Sequence, residues 1–220
     1  GVFRRGAREL TVYLHGLGQT PAAWDKTLAA LGEEDAQCPH MGQLLERGAG
    51  SYDGLYKAFE GYCGELDGKL ELRGLSVGAI LALHYALDHP ERVSSLVLIA
   101  GRVKSPRVLL ALQNVIFSLM PETAFAGSGL KKAQMKGLCR SMAGLNLSGR
   151  LGEVSCPTLV LCGDQDKANR KEAETLVKGI PGARLGFIPG AGHEVNQDAP
   201  EVLAKTIAQW RELGRLTENP

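Results

Sequence analysis

Gly74-Leu75-Ser76-Val77-Gly78 is the stretch on which the reading of this chain turns. Lys69 to Arg73, just before it, alternates apolar and polar residues and predicts a strand. Ala79 to Leu87, just after it, is rich in Ala and Leu and predicts a helix. A serine therefore stands where a strand turns abruptly into a helix. Such a turn is too tight for side chains on its flanks, which accounts for Gly74 and Gly78 two positions to either side. It also lifts the Ser76 hydroxyl above the sheet, with the Val77 backbone N–H aimed at the same spot from the start of the helix.

Outward from this turn, strand-like and helix-like segments alternate. Leu10 to Leu14 predicts a buried strand running into the glycine-rich His15-Gly16-Leu17-Gly18. Thr20-Pro21 opens a helix with Trp24, Leu28 and Leu31 on one face and Gly32 at its end. Ala36 to His40 is a weak strand, and Ser51 to Leu66 a helix. Leu96 to Ala100 and Thr158 to Cys162 are apolar on both sides, as parallel strands covered on both faces are. A helix over Ala168 to Lys178, a strand over Arg184 to Ile188 and a final helix opened by Pro200 complete the series. The alternation predicts an α/β fold: a doubly wound, mostly parallel sheet of about six or seven strands. Sites in such sheets lie at the carboxyl ends of the strands, where the glycine-rich loops fall.

Residues 102–153 break the pattern. Ser105-Pro106 starts a helix through Leu119-Met120, and a more basic helix follows over Leu130 to Met142. The expectation is a helical lid inserted into a core made of 1–101 and 154–220. Its first helix carries Val108, Leu109, Leu112, Val115, Ile116, Phe117, Leu119 and Met120. One helix face cannot bury that much apolar surface, so part of it is expected to line an acyl pocket.

Composition removes several classes. A net charge of +1 gives no electrostatic case for nucleic acid or an anionic membrane. No apolar run approaches the ~20 residues of a membrane-spanning helix. The five cysteines are odd in number and lack Cys-x-x-Cys spacing. They read as reduced, mostly buried residues of a cytoplasmic protein, without metal-ligand spacing.

A serine hydroxyl needs a base to react at neutral pH. Of the five histidines, His193 in Pro189-Gly190-Ala191-Gly192-His193 directly follows the last strand and so lies on the site side of the sheet. His15 reads as a prop for its own loop, His40 lies in a stretch with no clear element, and His84 and His89 read as structural or solvated. The base in turn needs a carboxylate to fix its tautomer. Asp164 and Asp166 in Gly163-Asp164-Gln165-Asp166 both qualify by position. The backbone N–H groups of Val77 and Leu17 are the candidate oxyanion donors, with Gly16 and Gly18 letting a substrate approach.

Taken together, His15-Gly16-Leu17-Gly18, Gly74-Leu75-Ser76-Val77-Gly78, Gly163 with Asp166, and Gly192-His193 resemble the landmarks of the α/β-hydrolase family. The stretch from Leu83 to Gly101 resembles that family's segment after the elbow. Within the family the chain is most similar to small lidded esterases, thioesterases and carbon–carbon bond hydrolases. The resemblance implies a Ser76–His193–Asp166 triad cleaving a small-molecule acyl ester or thioester, with no metal or organic cofactor. A non-catalytic binding protein on the same fold is the alternative of another class. The chain departs from the family pattern at Cys38-Pro39-His40-Met41-Gly42, where an Asp-x-x-Gly-x-Gly-Ser stretch is usual.

Overall fold

The structure is a computed structural model that describes residues 9–104, 120–124 and 130–218. Among the described residues five strands form one sheet, β1 (Leu10–Leu14), β2 (Leu70–Leu75), β3 (Val93–Ile99), β4 (Thr158–Gly163) and β5 (Arg184–Ile188). They lie side by side in chain order and every pair is parallel. The sixth expected strand is reduced to a bridge between Gln37 and Val12. Gln37 N–H donates to Thr11 O and its carbonyl accepts from Tyr13 N–H, both at 2.8 Å. Pairing stops there because Pro39 has no N–H and His40 already caps the next helix.

Helices cover both faces. On one lie α2 (Met41–Arg47), α3 (Tyr52–Gly64), α4 (Val77–Asp88) and, following β4, α6 (Lys167–Gly179). Val12, Leu14, Leu70, Leu72, Leu96, Leu98 and Val160 point into this core. α4 is apolar nearly all round because it is wedged between the sheet and its neighbours, and ten of its residues from Val77 to Leu87 are buried. On the other face lie α1 (Asp25–Leu31) and the last helix, α8 (Pro200–Glu218). Tyr13, Leu75, Val97, Ile99, Leu159 and Leu161 meet Trp24, Leu203 and Ile207 there. α5 (Lys132–Ser141) lies between β3 and β4 in the chain, and α7 (Val195–Asp198) is a short turn after β5. Most of the expected first lid helix, including Val108 through Leu119, lies outside the described residues. Five cysteines are free thiols.

The alternation of β2 suggests one wet face, but both of its faces are buried. Its polar side meets a charge network under α1 and α8. Arg73, 1% exposed, pairs with Glu33 at 2.9 Å and Glu71 at 3.3 Å. Arg211 of α8 reaches the same two carboxylates at 2.6 and 3.3 Å. Two guanidiniums against two carboxylates leave no net buried charge, the condition under which burial is tolerable.

Candidate active site

The carboxyl ends of β1, β2, β4 and β5 bring the sequence candidates together. Ser76 links β2 to α4 with φ 56° and ψ −115°, a backbone that L-residues rarely adopt. Its N–H donates to Ile99 O at the end of β3 at 2.8 Å, which fixes the turn. The flanking glycines are sterically required. A Cβ on Gly74 would lie 2.2 Å from Gly78 O, and one on Gly78 would lie 2.2 Å from Leu14 O.

The loops after β4 and β5 are packed backbone to backbone. A Cβ on Gly163 would meet Ala191 O and Gly192 O at 2.2 Å. Gln165 N–H donates to Ala191 O at 3.0 Å. This contact carries His193 to Ser76, with Nε2 3.1 Å from Oγ. On the other side of the ring, Nδ1 is 2.9 Å from Asp166 Oδ2. Asp166 also N-caps α6, its Oδ1 accepting from Asn169 N–H at 3.3 Å. Burial alone would raise the Asp166 pKa, but hydrogen bonds from Asn169 and His193 outweigh it and hold the carboxyl below the usual carboxylate range. Asp164 is spent differently: its Oδ1 accepts from Gly190 N–H at 3.0 Å and shapes the His193 loop from outside. Of the two aspartates, Asp166 is the one that reaches the histidine.

Gly16 abuts the elbow, since a Cβ there would lie 2.9 Å from a Leu75 methyl. Neither the Leu17 nor the Val77 N–H has an acceptor among the described residues. His15 is buried, and burial depresses its pKa to about 4, so the ring is neutral. Its Nδ1–H donates to Gly16 O at 2.9 Å and its Nε2 accepts from Met41 N–H at 3.0 Å, which ties the glycine loop to α2. The other histidines serve packing. His40 caps α2, His84 stacks on Tyr56, and His89 contacts Glu60.

Sequence reasoning passed over three amides. Gln19 and Asn196, 177 residues apart, form a buried pair: Gln19 Nε2 donates to Asn196 Oδ1 at 2.9 Å and Asn196 Nδ2 donates back at 3.2 Å. Gln19 Oε1 also accepts from Gly16 N–H at 3.1 Å, so the pair straps the Leu17 loop to the His193 loop. Asn169, also buried, sits between Asp166 and His193. A lone Gln or Asn in a loop carries no periodicity or spacing, so only Asn169, three residues past Asp166 at a helix start, left any signal.

Among the described residues no group of three or more His, Cys, Asp or Glu side chains is placed to hold a metal ion, and no helix is long and apolar enough to cross a membrane.

A model of the alpha/beta hydrolase family matches residues 11–206. The chain belongs to the α/β-hydrolase family. This hydrolase is 26% identical to a Bacillus subtilis protein provisionally named 2-succinyl-6-hydroxy-2,4-cyclohexadiene-1-carboxylate synthase, across 64% of the chain and 65% of that relative. The match thus spans just under two thirds of that relative's length. It is also 26% identical to a pimeloyl-[acyl-carrier protein] methyl ester esterase of Nitrosomonas europaea, across 86% of the chain and 90% of that protein. Among solved structures, an esterase from Exiguobacterium antarcticum superposes with a TM-score of 0.74 at 18% identity, covering 93% of this chain and 92% of the other. That likeness concerns the fold. The family and its relatives make the chain an enzyme, a hydrolase.

Proposed function

We propose that this hydrolase cleaves carboxylic esters of small to medium apolar acyl groups through an acyl-enzyme. The observation that carries the reading is the unbroken contact chain from Ser76 Oγ through His193 to Asp166, at 3.1 and 2.9 Å. Ser76 attacks the carbonyl carbon while His193 Nε2 takes the hydroxyl proton. Asp166 keeps Nδ1 protonated and favours the imidazolium that forms. The Leu17 and Val77 N–H groups receive the oxyanion. His193 then returns the proton to the leaving alcohol, and water repeats the sequence on the acyl-enzyme. Residues 102–153 act as the lid over this site, and a cytoplasmic setting suits the free thiols.

A second reading has its own support. One relative is named a synthase rather than an esterase, so a thioester or a carbon–carbon bond is kept as the alternative target of the same residues. A panel of acyl esters and acyl thioesters, graded from acetyl to hexanoyl, tests both on the wild type and Ser76→Ala. The ester reading expects turnover that Ser76→Ala abolishes and a fluorophosphonate adduct on Ser76 alone. It also expects a rise in kcat/KM of up to about fourfold for each methylene buried. A Ser76→Ala variant that keeps a tenth of the activity would refute it.

A further inference from the structure

Asn169 occupies a position that the reaction as written does not use. Its side chain is 1% exposed and stands at the third residue of α6, directly above the Asp166 cap. Nδ2 lies 2.7 Å from Asp166 Oδ2 and 2.9 Å from His193 Nδ1. Oδ1 is buried with no hydrogen-bond partner among the described residues. The orientation of the amide follows from chemistry: the reverse would set its oxygen 2.7 Å from a carboxylate oxygen, with no proton between them. One carboxylate therefore receives three donors, the Asn169 N–H, the Asn169 amide and His193 Nδ1–H.

We propose that Asn169 is a positioning residue that limits how strongly Asp166 holds a protonated His193. The inference rests on the reading of Ser76, His193 and Asp166 as one reacting unit. When Nδ1 carries its proton toward Asp166, it cannot also accept from Asn169. The two donors then compete for one oxygen, and the positive end of the amide dipole faces the ring. Both effects work against the imidazolium, because an opposing positive dipole and a shared carboxylate each weaken the charged form. The benefit is a histidine that is neutral, and so able to take the serine proton, over a wider pH range. Without the amide, Asp166 Oδ2 would serve His193 alone, while Oδ1 keeps the Asn169 backbone N–H.

The other ionisable groups nearby stay constant across the test variants. Glu194 follows His193, and Asp198 binds Gly192 N–H at 2.8 Å. Asp164 holds the same loop from outside. On the strand side, Cys162 Sγ contacts Asp166 O at 3.6 Å, and Arg170 of α6 lies over the Phe187 ring.

The test uses Asn169→Ala, which removes the donor without crowding, and Asn169→Thr, which keeps one. Thermal melts first establish that both fold. The His193 imidazole is then titrated by NMR in the free enzyme, its signals assigned with His193→Gln. The expected result is a midpoint for Asn169→Ala about half to one pH unit above the wild type, a three- to tenfold change in proton affinity. Asn169→Thr stays near the wild type. The acid limb of kcat/KM on an acyl ester moves with the midpoint, while KM on the alkaline plateau does not change. An Asn169→Ala midpoint at or below the wild-type value, or equal shifts in both variants, overturns the proposal. The NMR midpoint does not require turnover. If it moves as expected while Ser76→Ala still hydrolyses esters, the ester mechanism fails, and what stands is the hold of Asn169 on the His193–Asp166 pair.

Discussion

Asp166→Asn against Asp164→Asn is the sharpest comparison the site offers, because the two aspartates are two residues apart and contact different things. Asp166 Oδ2 takes His193 Nδ1–H and the Asn169 amide, and Oδ1 takes the Asn169 backbone N–H. An amide at position 166 cannot serve all three donors. With its oxygen toward His193, its NH₂ faces the Asn169 N–H. With its NH₂ toward His193, it faces the Asn169 amide and drives the ring to the tautomer that carries its proton on Nε2, toward Ser76. The first arrangement sets two donors face to face, at a cost of about 1–3 kcal/mol in stability, and the second gives up the reactive tautomer. The imidazolium also loses its countercharge, and loss of the acid in such a unit costs about 10⁴ in kcat, near 5 kcal/mol of transition-state stabilisation. At Asp164 only Gly190 N–H is at stake. An amide oxygen accepts it equally well, so Asp164→Asn is expected within about threefold of wild type, as exposed substitutions usually are. The assay is kcat on a 4-nitrophenyl acyl ester at the alkaline plateau, with thermal melts alongside. If Asp166→Asn keeps more than a tenth of the activity, or Asp164→Asn falls as far, the assignment of the acid is wrong.

Gly78→Ala is expected to destabilise by about 3 kcal/mol or more, since its Cβ would lie 2.2 Å from Leu14 O and push α4 off β1; a urea midpoint unchanged from wild type would contradict the packing. His15 makes stability depend on pH. Its folded pKa of about 4 lies below the 6.5 of an ordinary imidazole, so its contribution is complete above 6.5 and is lost as pH falls toward 4. Roughly 2 kcal/mol should go between pH 7 and 5, and His15→Gln should flatten that slope in urea titrations at the two pH values. Gln19→Ala and Asn196→Ala should each lower kcat more than they raise KM, with a coupling of about 1–3 kcal/mol in the double-mutant cycle; additive effects would mean that the strap does not link the two loops.

The parts of this fold that were legible in the sequence are those written in period and punctuation. The strand–Ser76–helix turn was announced by Gly74 and Gly78, and the all-apolar β3 and β4 by runs covered on both faces. The Ala36 to His40 segment misled because its residues have mild strand character, while Pro39 and the His40 cap allow only one bridge. The choice of Asp166 over Asp164 came from family likeness alone. What separates them is that Asp164 is turned to Gly190, a long-range contact with no trace in local sequence. Arg73 shows the same limit: an alternating strand looks half-solvated until α8 brings Arg211 to complete the ion network. Gln19, Asn196 and Asn169 escaped notice because their worth lies in partners far away in the chain or across a loop.

The backbone at Ser76 has a consequence for anyone who sets out to improve this protein. Its φ of 56° with ψ −115° is a conformation in which glycine is at ease and serine is not. A Ser76→Gly chain would relieve that strain and should melt higher than the parent, although it lacks the hydroxyl. A selection that rewards heat resistance alone would therefore favour loss of the hydroxyl proposed to attack, and directed-evolution campaigns need turnover in every round to keep position 76 from drifting.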